Sequence, residues 1–146
     1  MKPQSRLLVI GLCCCLLASG CTAFRSEWKS ARNITTPAED ISGRWKGTWQ
    51  SDATGHHGGL RCVVTMLDPV SYRFFYDASY KRILHGYYTI TQTVTRAERT
   101  FKLQGSAELP KIFGGHYDYE GTATTTNLIS NYTTKADHGV FQMIRP

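Results

Sequence analysis

The sequence predicts an all-β domain over residues 41–146, folded as a small antiparallel up-and-down β-barrel of about eight strands. Three observations support this fold class. Apolar and polar residues alternate with a period of two in short segments, threonine and aromatic residues are frequent in them, and glycine recurs between them. No segment carries an amphipathic-helix stripe over three turns. A β-sandwich is the alternative arrangement of the same strands.

Each predicted strand is a short segment in which every second side chain tends to be bulky. In order the segments are GRWKGTWQ (43–50), LRCVVTM (60–66), YRFFYD (72–77), YYTITQTVT (87–95), TFKLQGSAEL (100–109), HYDYEGTAT (116–124), NLISNYT (127–133) and GVFQMIR (139–145). An eight-stranded barrel is just wide enough for its own side chains, so we expect the bulky residues to fill it, with a shallow cup under the longer loops as the alternative. The predicted inward residues are Trp45, Trp49, Tyr72, Phe74, Tyr76, Tyr88, Phe101, Tyr117 and Tyr119.

The N-terminus is typical of a secreted chain. Two basic residues, Lys2 and Arg6, precede an apolar run, LLVIGLCCCLLA. The run is shorter than a membrane span. The run leads into LASGC, which resembles the bacterial lipobox, where a signal peptidase cuts before a cysteine that becomes lipidated. The resemblance implies a lipid on Cys21, and Thr22 in place of an aspartate favours the outer membrane.

These features divide the chain into three parts. Residues 1–20 are predicted to be a signal peptide, residues 21–40 a lipidated cysteine with a flexible tether, and residues 41–146 the barrel domain. We therefore expect a cell-envelope protein anchored to a bacterial membrane, with its domain in the periplasm or at the cell surface.

Cysteine usage and charge narrow the class further. After loss of the signal and lipidation of Cys21, only Cys62 is left, so the mature chain has no internal disulfide and Cys62 is best explained as a small buried hydrophobe. Removal of Lys2 and Arg6 leaves 15 of the 17 basic residues against 11 acidic ones, a net charge of +4. These charges are spread along the chain without a dense basic cluster, which argues against a nucleic-acid partner.

A short motif at the start of the domain has a counterpart at its end. Gly43-Arg44-Trp45 is a Gly-x-Trp at the first strand, Gly47-Thr48-Trp49 repeats it, and Arg145 lies in the last strand. This pattern resembles the calycin (lipocalin-like) signature. The resemblance implies that Gly43, Trp45, Trp49 and Arg145 close the barrel, with the Arg145 guanidinium stacked on the Trp45 indole.

All five histidines fall at one predicted end of the barrel. Connections in an up-and-down barrel alternate between the two ends, and the connections after the first, third, fifth and seventh strands hold every histidine. These residues are His56, His57, His85, His116 and His138. The segment GHHGG is either a flexible turn or part of a site at this end.

Imidazoles at one end suggest a divalent metal such as zinc, with Asp118, Glu120 and Asp137 as additional carboxylate ligands. No His-x-x-x-His spacing supports such a site locally, and ordinary polar loop residues are the simpler interpretation. The sequence has no Gly-x-Ser-x-Gly elbow and no nucleophile–base pair, so we predict no catalytic residue and no enzyme activity. No cofactor is predicted apart from the metal ion.

The sequence thus favours a membrane-anchored, non-enzymatic binding or structural module that meets an envelope protein or a ligand with its histidine-bearing end. The first alternative is a lipocalin-like carrier of a small apolar ligand, and the second is a metal-binding protein or metal-dependent hydrolase. Because the tether joins the barrel at the end with short turns, we expect the histidine-bearing loops to face away from the membrane.

Overall fold

The structure, a computed structural model, describes residues 19–33 and 40–146. Eight antiparallel strands follow one another around a closed barrel, and the first strand pairs with the last. The predicted fold class is confirmed, and closure of the sheet excludes the sandwich. Most of the predicted signal peptide, residues 1–18, and residues 34–39 of the predicted tether lie outside the described residues.

The strands match the alternating segments of the sequence closely. They are β1 (Gly43–Ser51), β2 (His57–Met66), β3 (Ser71–Tyr80), β4 (Leu84–Ala97), β5 (Thr100–Glu108), β6 (His116–Ala123), β7 (Asn127–Thr133) and β8 (His138–Ile144). A 3₁₀ turn at Lys111–Phe113 interrupts the connection between β5 and β6.

The barrel interior is the main hydrophobic core. Large buried side chains such as Trp45, Phe74 and Tyr76 fill it, and burial alternates along β7 and β8 as a period of two requires. All nine aromatic residues predicted to face inward belong to this core or pack against it.

The end of the barrel with short turns is closed by Trp45 and Arg145. The Trp45 Nε1 donates a hydrogen bond to the Ile41 carbonyl at 2.8 Å, and the Arg145 guanidinium lies 4.1 Å from the centre of the indole. The guanidinium also donates to the carbonyl oxygens of Ser42 at 2.7 Å and Thr125 at 3.0 Å. The Arg145 side chain, near the C-terminus, therefore contacts the start of the domain and the β6–β7 turn. The predicted stacking of Arg145 on Trp45 is present.

The other two residues of the predicted closure set have different places. Gly43 begins β1 with φ of 106°, a conformation that favours glycine. Trp49 lies near the opposite end of β1, where its Nε1 donates to the Ser79 carbonyl at 2.8 Å. Its assignment to the closed end is wrong, because the repeated Gly-x-Trp places the second indole four residues further along the strand.

Residues 19–30 form a helix, α1, that continues into a 3₁₀ turn at Ala31–Asn33 and packs on the outside of the barrel. Phe24 is 0% exposed and packs with Ala31 against Val63 of β2 and Phe75 of β3. The predicted flexible tether is therefore wrong for the described residues up to 33. Burial of an apolar stripe holds the helix to the sheet.

Two arginines of the sheet also contact the helix. Arg61 of β2 lies 5.2 Å from the Phe24 ring and 5.4 Å from the Trp28 ring, and Arg73 of β3 pairs with Glu27. Cation–π contacts and ion pairs of this kind add to the apolar burial beneath them.

Helix α1 runs along the barrel from the histidine end towards the closed end. At its start Cys21 lies beside the Tyr87 hydroxyl of β4, and further along Trp28 meets Arg44 near the start of β1. Cys21 therefore lies on the same side as the histidine-bearing loops. The segment before β1 thus joins the barrel at the end with short turns, but helix α1 returns along the barrel wall. Which end of the barrel faces a membrane stays a prediction.

Candidate functional site

The histidine end of the barrel opens into a cavity of about 650 Å³, which we call the cup. The connections at 52–56, 81–83, 109–115 and 134–137 surround its mouth. Its lining comprises Trp49, Ser51, Thr54, His56, Ala78, Tyr80, Leu84, His85, Gly86, Tyr87, Tyr88, Leu109, Pro110, Tyr117, Tyr132, Ala136, Asp137 and Phe141. The sequence left open a barrel filled by its own side chains or one with a shallow cup under the longer loops. The structure has both features: a cup at the histidine end and a filled core below it.

Small residues near the mouth create this space. On β3 the inward position after Tyr76 is Ala78, and on β4 Gly86 takes the place that follows Tyr88 towards the mouth. Because the barrel width is fixed by the number of strands, small side chains at these levels leave volume that the aromatic core below does not use. On these two strands, the small residue next to an inward tyrosine is a sequence signal for the cup.

Aromatic rings form the walls and floor of the cup. The rings of Tyr132 and Phe141 lie 5.2 Å apart, Tyr117 lies 5.8 Å from Tyr132, and Tyr88 stacks on Tyr76 at 5.1 Å. Such pairs are rigid and mutually supporting, so the cup is formed before any ligand enters.

The main polar group on one wall is the Asp137 carboxylate. It accepts hydrogen bonds from the Ser51 hydroxyl at 2.6 Å, the Tyr132 hydroxyl at 3.1 Å and the His138 amide at 2.8 Å. Burial, followed by the nearby Asp137, raises the pKa of Tyr132 well above its ordinary value, so this phenol stays neutral and remains a donor. The network joins β1, β7 and β8 and fixes the carboxylate at the cup.

A second polar cluster lies in the core beneath the aromatic floor. The Gln92 amide is 0% exposed, and neither its nitrogen nor its oxygen makes a well-formed hydrogen bond with the residues that the structure describes. The Tyr76 hydroxyl is its polar neighbour, and burial raises the pKa of that phenol. Buried amides cost free energy when unpaired, so this cluster suits an internal water molecule.

The segment GHHGG builds the wall between β1 and β3. A Cβ atom added at Gly58 would overlap the Ser79 carbonyl oxygen and lie 2.8 Å from the Trp49 Nε1. Glycine at this position therefore allows the Trp49 indole of β1 to pass β2 and reach β3. The Gly59 amide donates to the Ser79 hydroxyl at 3.1 Å, which ties the same wall together. The glycines thus have a packing role that does not depend on metal.

All five histidines lie at the predicted end, but they do not converge. His56 and His85 line the cup, with the His56 ring 5.2 Å from the Tyr80 ring. His57 lies near the Gly55 carbonyl outside the cup, and the His138 side chain does not line it. No group of three histidine, cysteine or carboxylate side chains that could hold a metal ion occurs among the described residues.

His116 is bound locally on the surface. Its ring pairs with Glu108 through Nδ1 and with Asp118 through Nε2 at 3.2 Å. The hydrogen bond to Glu108, followed by that to Asp118, raises the pKa of His116 above its ordinary value. Two of these three residues, His116 and Asp118, were predicted metal candidates, and the structure places them away from the cup.

An ion-pair cluster outside the barrel was missed by sequence reasoning. Asp77 of β3 points outward but is only 2% exposed. Its carboxylate pairs with the Arg61 guanidinium at 2.5 Å and with the His85 Nδ1 at 2.7 Å. His85 thus joins this cluster to the rim of the cup. The sequence signal that could have revealed it is an aspartate, Asp77, at the end of the aromatic segment YRFFYD, with Arg61 in the neighbouring predicted strand.

Comparisons of the chain with models of protein families, with curated proteins and with solved structures return no match. Among the described residues, no helix combines the length and apolar character needed to cross a bilayer. The fold itself, a closed eight-stranded antiparallel barrel, fits a calycin-like architecture.

Proposed function

We propose that this protein is a lipid-anchored envelope protein that binds a small, largely apolar molecule in the cup. The observation that carries the proposal is a preformed cavity of about 650 Å³ lined mainly by aromatic and aliphatic side chains. Binding sites for small molecules typically have volumes of about 300–1,000 Å³ and a few polar groups that orient the ligand. Asp137, His56 and the tyrosine hydroxyls would supply those groups.

The proposed activity is binding and not catalysis. Asp137 already accepts three hydrogen bonds from protein groups, which suits a carboxylate that orients a ligand more than one that removes a proton. His56 contacts the Tyr80 ring. Neither arrangement supplies an activated nucleophile.

The proposed anchor is a lipid on Cys21, with the outer membrane as the favoured location. LASGC provides the sequence support, and Cys21 lies in helix α1, which is packed on the barrel. Metabolic labelling with an alkyne-tagged fatty acid tests this assignment. Label should enter the full chain and be absent from a Cys21→Ser variant. Labelling of both chains, or of neither, would contradict lipidation at Cys21.

The ligand proposal is tested with an apolar fluorescent probe, N-phenyl-1-naphthylamine, added to the secreted Cys21→Ser chain without detergent. We expect saturable enhancement of its emission. Gly86→Phe should weaken binding by about tenfold or more, since an added ring would occupy cup volume. A Cβ at Gly86 meets nothing closer than 4.0 Å, so the substitution does not force a backbone clash.

Thr89→Phe is the matched control, because it adds the same ring to an exposed position of the same strand. Unchanged binding in Thr89→Phe together with loss in Gly86→Phe would place the probe in the cup. Equal binding by both variants, or no saturable enhancement in the parent, would refute the cup as a ligand site.

A further inference from the structure

We infer that the mouth of the cup docks onto the surface of a bilayer containing anionic phospholipid. The first observation is apolar exposure at the mouth. Ile83, in the β3–β4 turn, is 79% exposed and Ile112, in the β5–β6 connection, is 85% exposed. Both connections lie at the same end of the barrel, where Leu84 is also exposed. Large apolar side chains at the tips of adjacent loops are typical of surfaces that enter a lipid interface.

Basic residues accompany these apolar tips. The four connections at the mouth contain Lys81, Arg82, Lys111 and Lys135 against two acidic residues, Asp52 and Asp137. Asp137 is moreover engaged by protein donors. An excess of positive charge around exposed isoleucines matches an anionic lipid surface better than a neutral one.

The two basic residues of the β3–β4 turn, Lys81 and Arg82, have strained backbone conformations. Lys81 has φ of 51° and Arg82 has φ of 64°, both in the left-handed region that favours glycine or asparagine. Each such residue costs about 1 kcal/mol or more compared with a residue that adopts this region readily. Glu98, in a turn at the opposite end, also has a positive φ of 56°, so the backbone conformation alone does not distinguish the two ends. The β3–β4 turn differs in that both of its strained residues are basic, which suits contact with phosphate headgroups.

The opposite end of the barrel also has exposed apolar residues, but its turns carry no excess of basic residues. Its turns at 67–70, 98–99 and 124–126 contain Asp68 and Glu98 against a single basic residue, Arg99. Leu67 and Val70 are exposed there, but they accompany an acidic turn. Charge therefore selects the histidine end as the membrane-facing one.

The position of Cys21 independently points to the same end. Gly20 lies against the side chain of Tyr87, and Cys21 lies beside the Tyr87 hydroxyl. Ile83 is four residues from Tyr87, or about 13 Å at the rise of a β-strand. A lipid on Cys21 would be held by a packed helix instead of a loose tether, so it would bring the mouth loops to the bilayer.

This inference deepens the proposed function and rests on it in one respect. If the cup binds an apolar molecule, a mouth seated on the bilayer would let that molecule pass between lipid and protein without crossing water. Docking itself is argued from the mouth loops, their charges and the position of Cys21, and not from the cup, so it can be tested separately.

The test uses the full chain on vesicles of phosphatidylcholine with phosphatidylglycerol, some of which contain brominated acyl chains as quenchers. A genetically encoded fluorescent residue replaces Ile83 (Ile83→dansylalanine) or, as the matched control, Val70 (Val70→dansylalanine). We expect brominated lipid to quench the probe at position 83 and to leave the probe at position 70 unquenched. Quenching at 83 should fall on vesicles of phosphatidylcholine alone.

Charge reversal provides the second arm. Lys81→Glu with Arg82→Glu should abolish most of the quenching at 83, whereas Arg99→Glu at the opposite end should leave it unchanged. No quenching at 83, or equal quenching at 70 and 83, would overturn the inference. Because probe binding in the cup is measured without vesicles, loss of docking with intact ligand binding separates failure of this inference from failure of the proposed function.

Discussion

The side chains of Trp49 and Arg145 both contact backbone groups that are distant in sequence. The Trp49 indole extends from β1 past β2 to the Ser79 carbonyl of β3, and only a glycine at position 58 leaves room for this contact. Arg145 reaches from beyond β8 to carbonyl oxygens at the start of the domain. Each contact fixes one end of the barrel: Trp49 shapes the cup, and Arg145 covers the core.

Gly58→Ala should lower the free energy of unfolding by about 2 to 4 kcal/mol, since the new methyl group overlaps the Ser79 carbonyl and displaces the Trp49 indole. Equilibrium unfolding in urea measures the change. Gly86→Ala is the matched control, because an added Cβ there has open space, and we expect a change within about 0.5 kcal/mol. Equal stability of both variants would show that the close approach at Gly58 has no energetic weight.

Arg145→Lys should destabilise the protein by about 2 kcal/mol, although the charge is kept. A lysine has no planar fork, so it cannot stack on Trp45 and donate to the Ser42 and Thr125 carbonyls together. Urea unfolding again provides the measurement, with Arg99→Lys in an exposed turn as the control. A lysine variant as stable as the parent would mean that charge alone is sufficient at this position.

Helix α1 is the element that sequence reasoning missed, and its absence from the prediction has a physical cause. Strands could be predicted because alternation by two is visible in any short segment. The helix has a short stripe of Phe24, Trp28 and Ala31, which is too brief to stand out within a polar stretch. The apolar runs around Val63 and Phe75, where both strand faces are apolar, were the better signal that something covers the barrel wall.

The cup and the histidines illustrate the same limit. Strand order and alternating connections suffice to place all five histidines at one end, since that follows from topology alone. Whether His56, His57 and His116 share one point depends on strand tilt and side-chain direction, which periodicity does not contain. In the structure His56 lines the cup, whereas His116 pairs with Glu108, and both positions depend on tertiary contacts.

Phe24→Ala should release helix α1 from the barrel and lower the free energy of unfolding by about 3 to 4 kcal/mol, because a fully buried phenylalanine is lost. Trypsin measures the release directly, since Arg25 and Lys29 lie in the helix and become cleavable when it detaches. Ser26→Ala, at an exposed helical position, is the control. Continued protection of Arg25 and Lys29 in Phe24→Ala would contradict docking through Phe24.

Tyrosines with buried or half-buried phenol groups are distributed over most of the barrel. Seven of the eight tyrosines have a raised pKa, and burial is the first cause for each of them. Burial followed by Asp40 raises the pKa of Tyr72 to about 12, and burial followed by Cys21 raises that of Tyr87 to about 12. The folded barrel therefore excludes tyrosinate over a pH range in which the unfolded chain accepts it.

This difference predicts alkaline unfolding with a defined direction. Unfolded tyrosines ionise near pH 10, so above that pH the unfolded state binds fewer protons than the folded state and the free energy of unfolding falls as pH rises. The stabilisation is fully present below about pH 10 and is lost as the pH approaches the raised values. Tyrosinate absorbance and far-ultraviolet circular dichroism should change together in one steep transition, whereas in concentrated urea the same tyrosines should titrate gradually. Gradual ionisation centred near pH 10 with the β-sheet spectrum intact would show that the phenols are open to water, and the filled lower half of the barrel would then have to be abandoned.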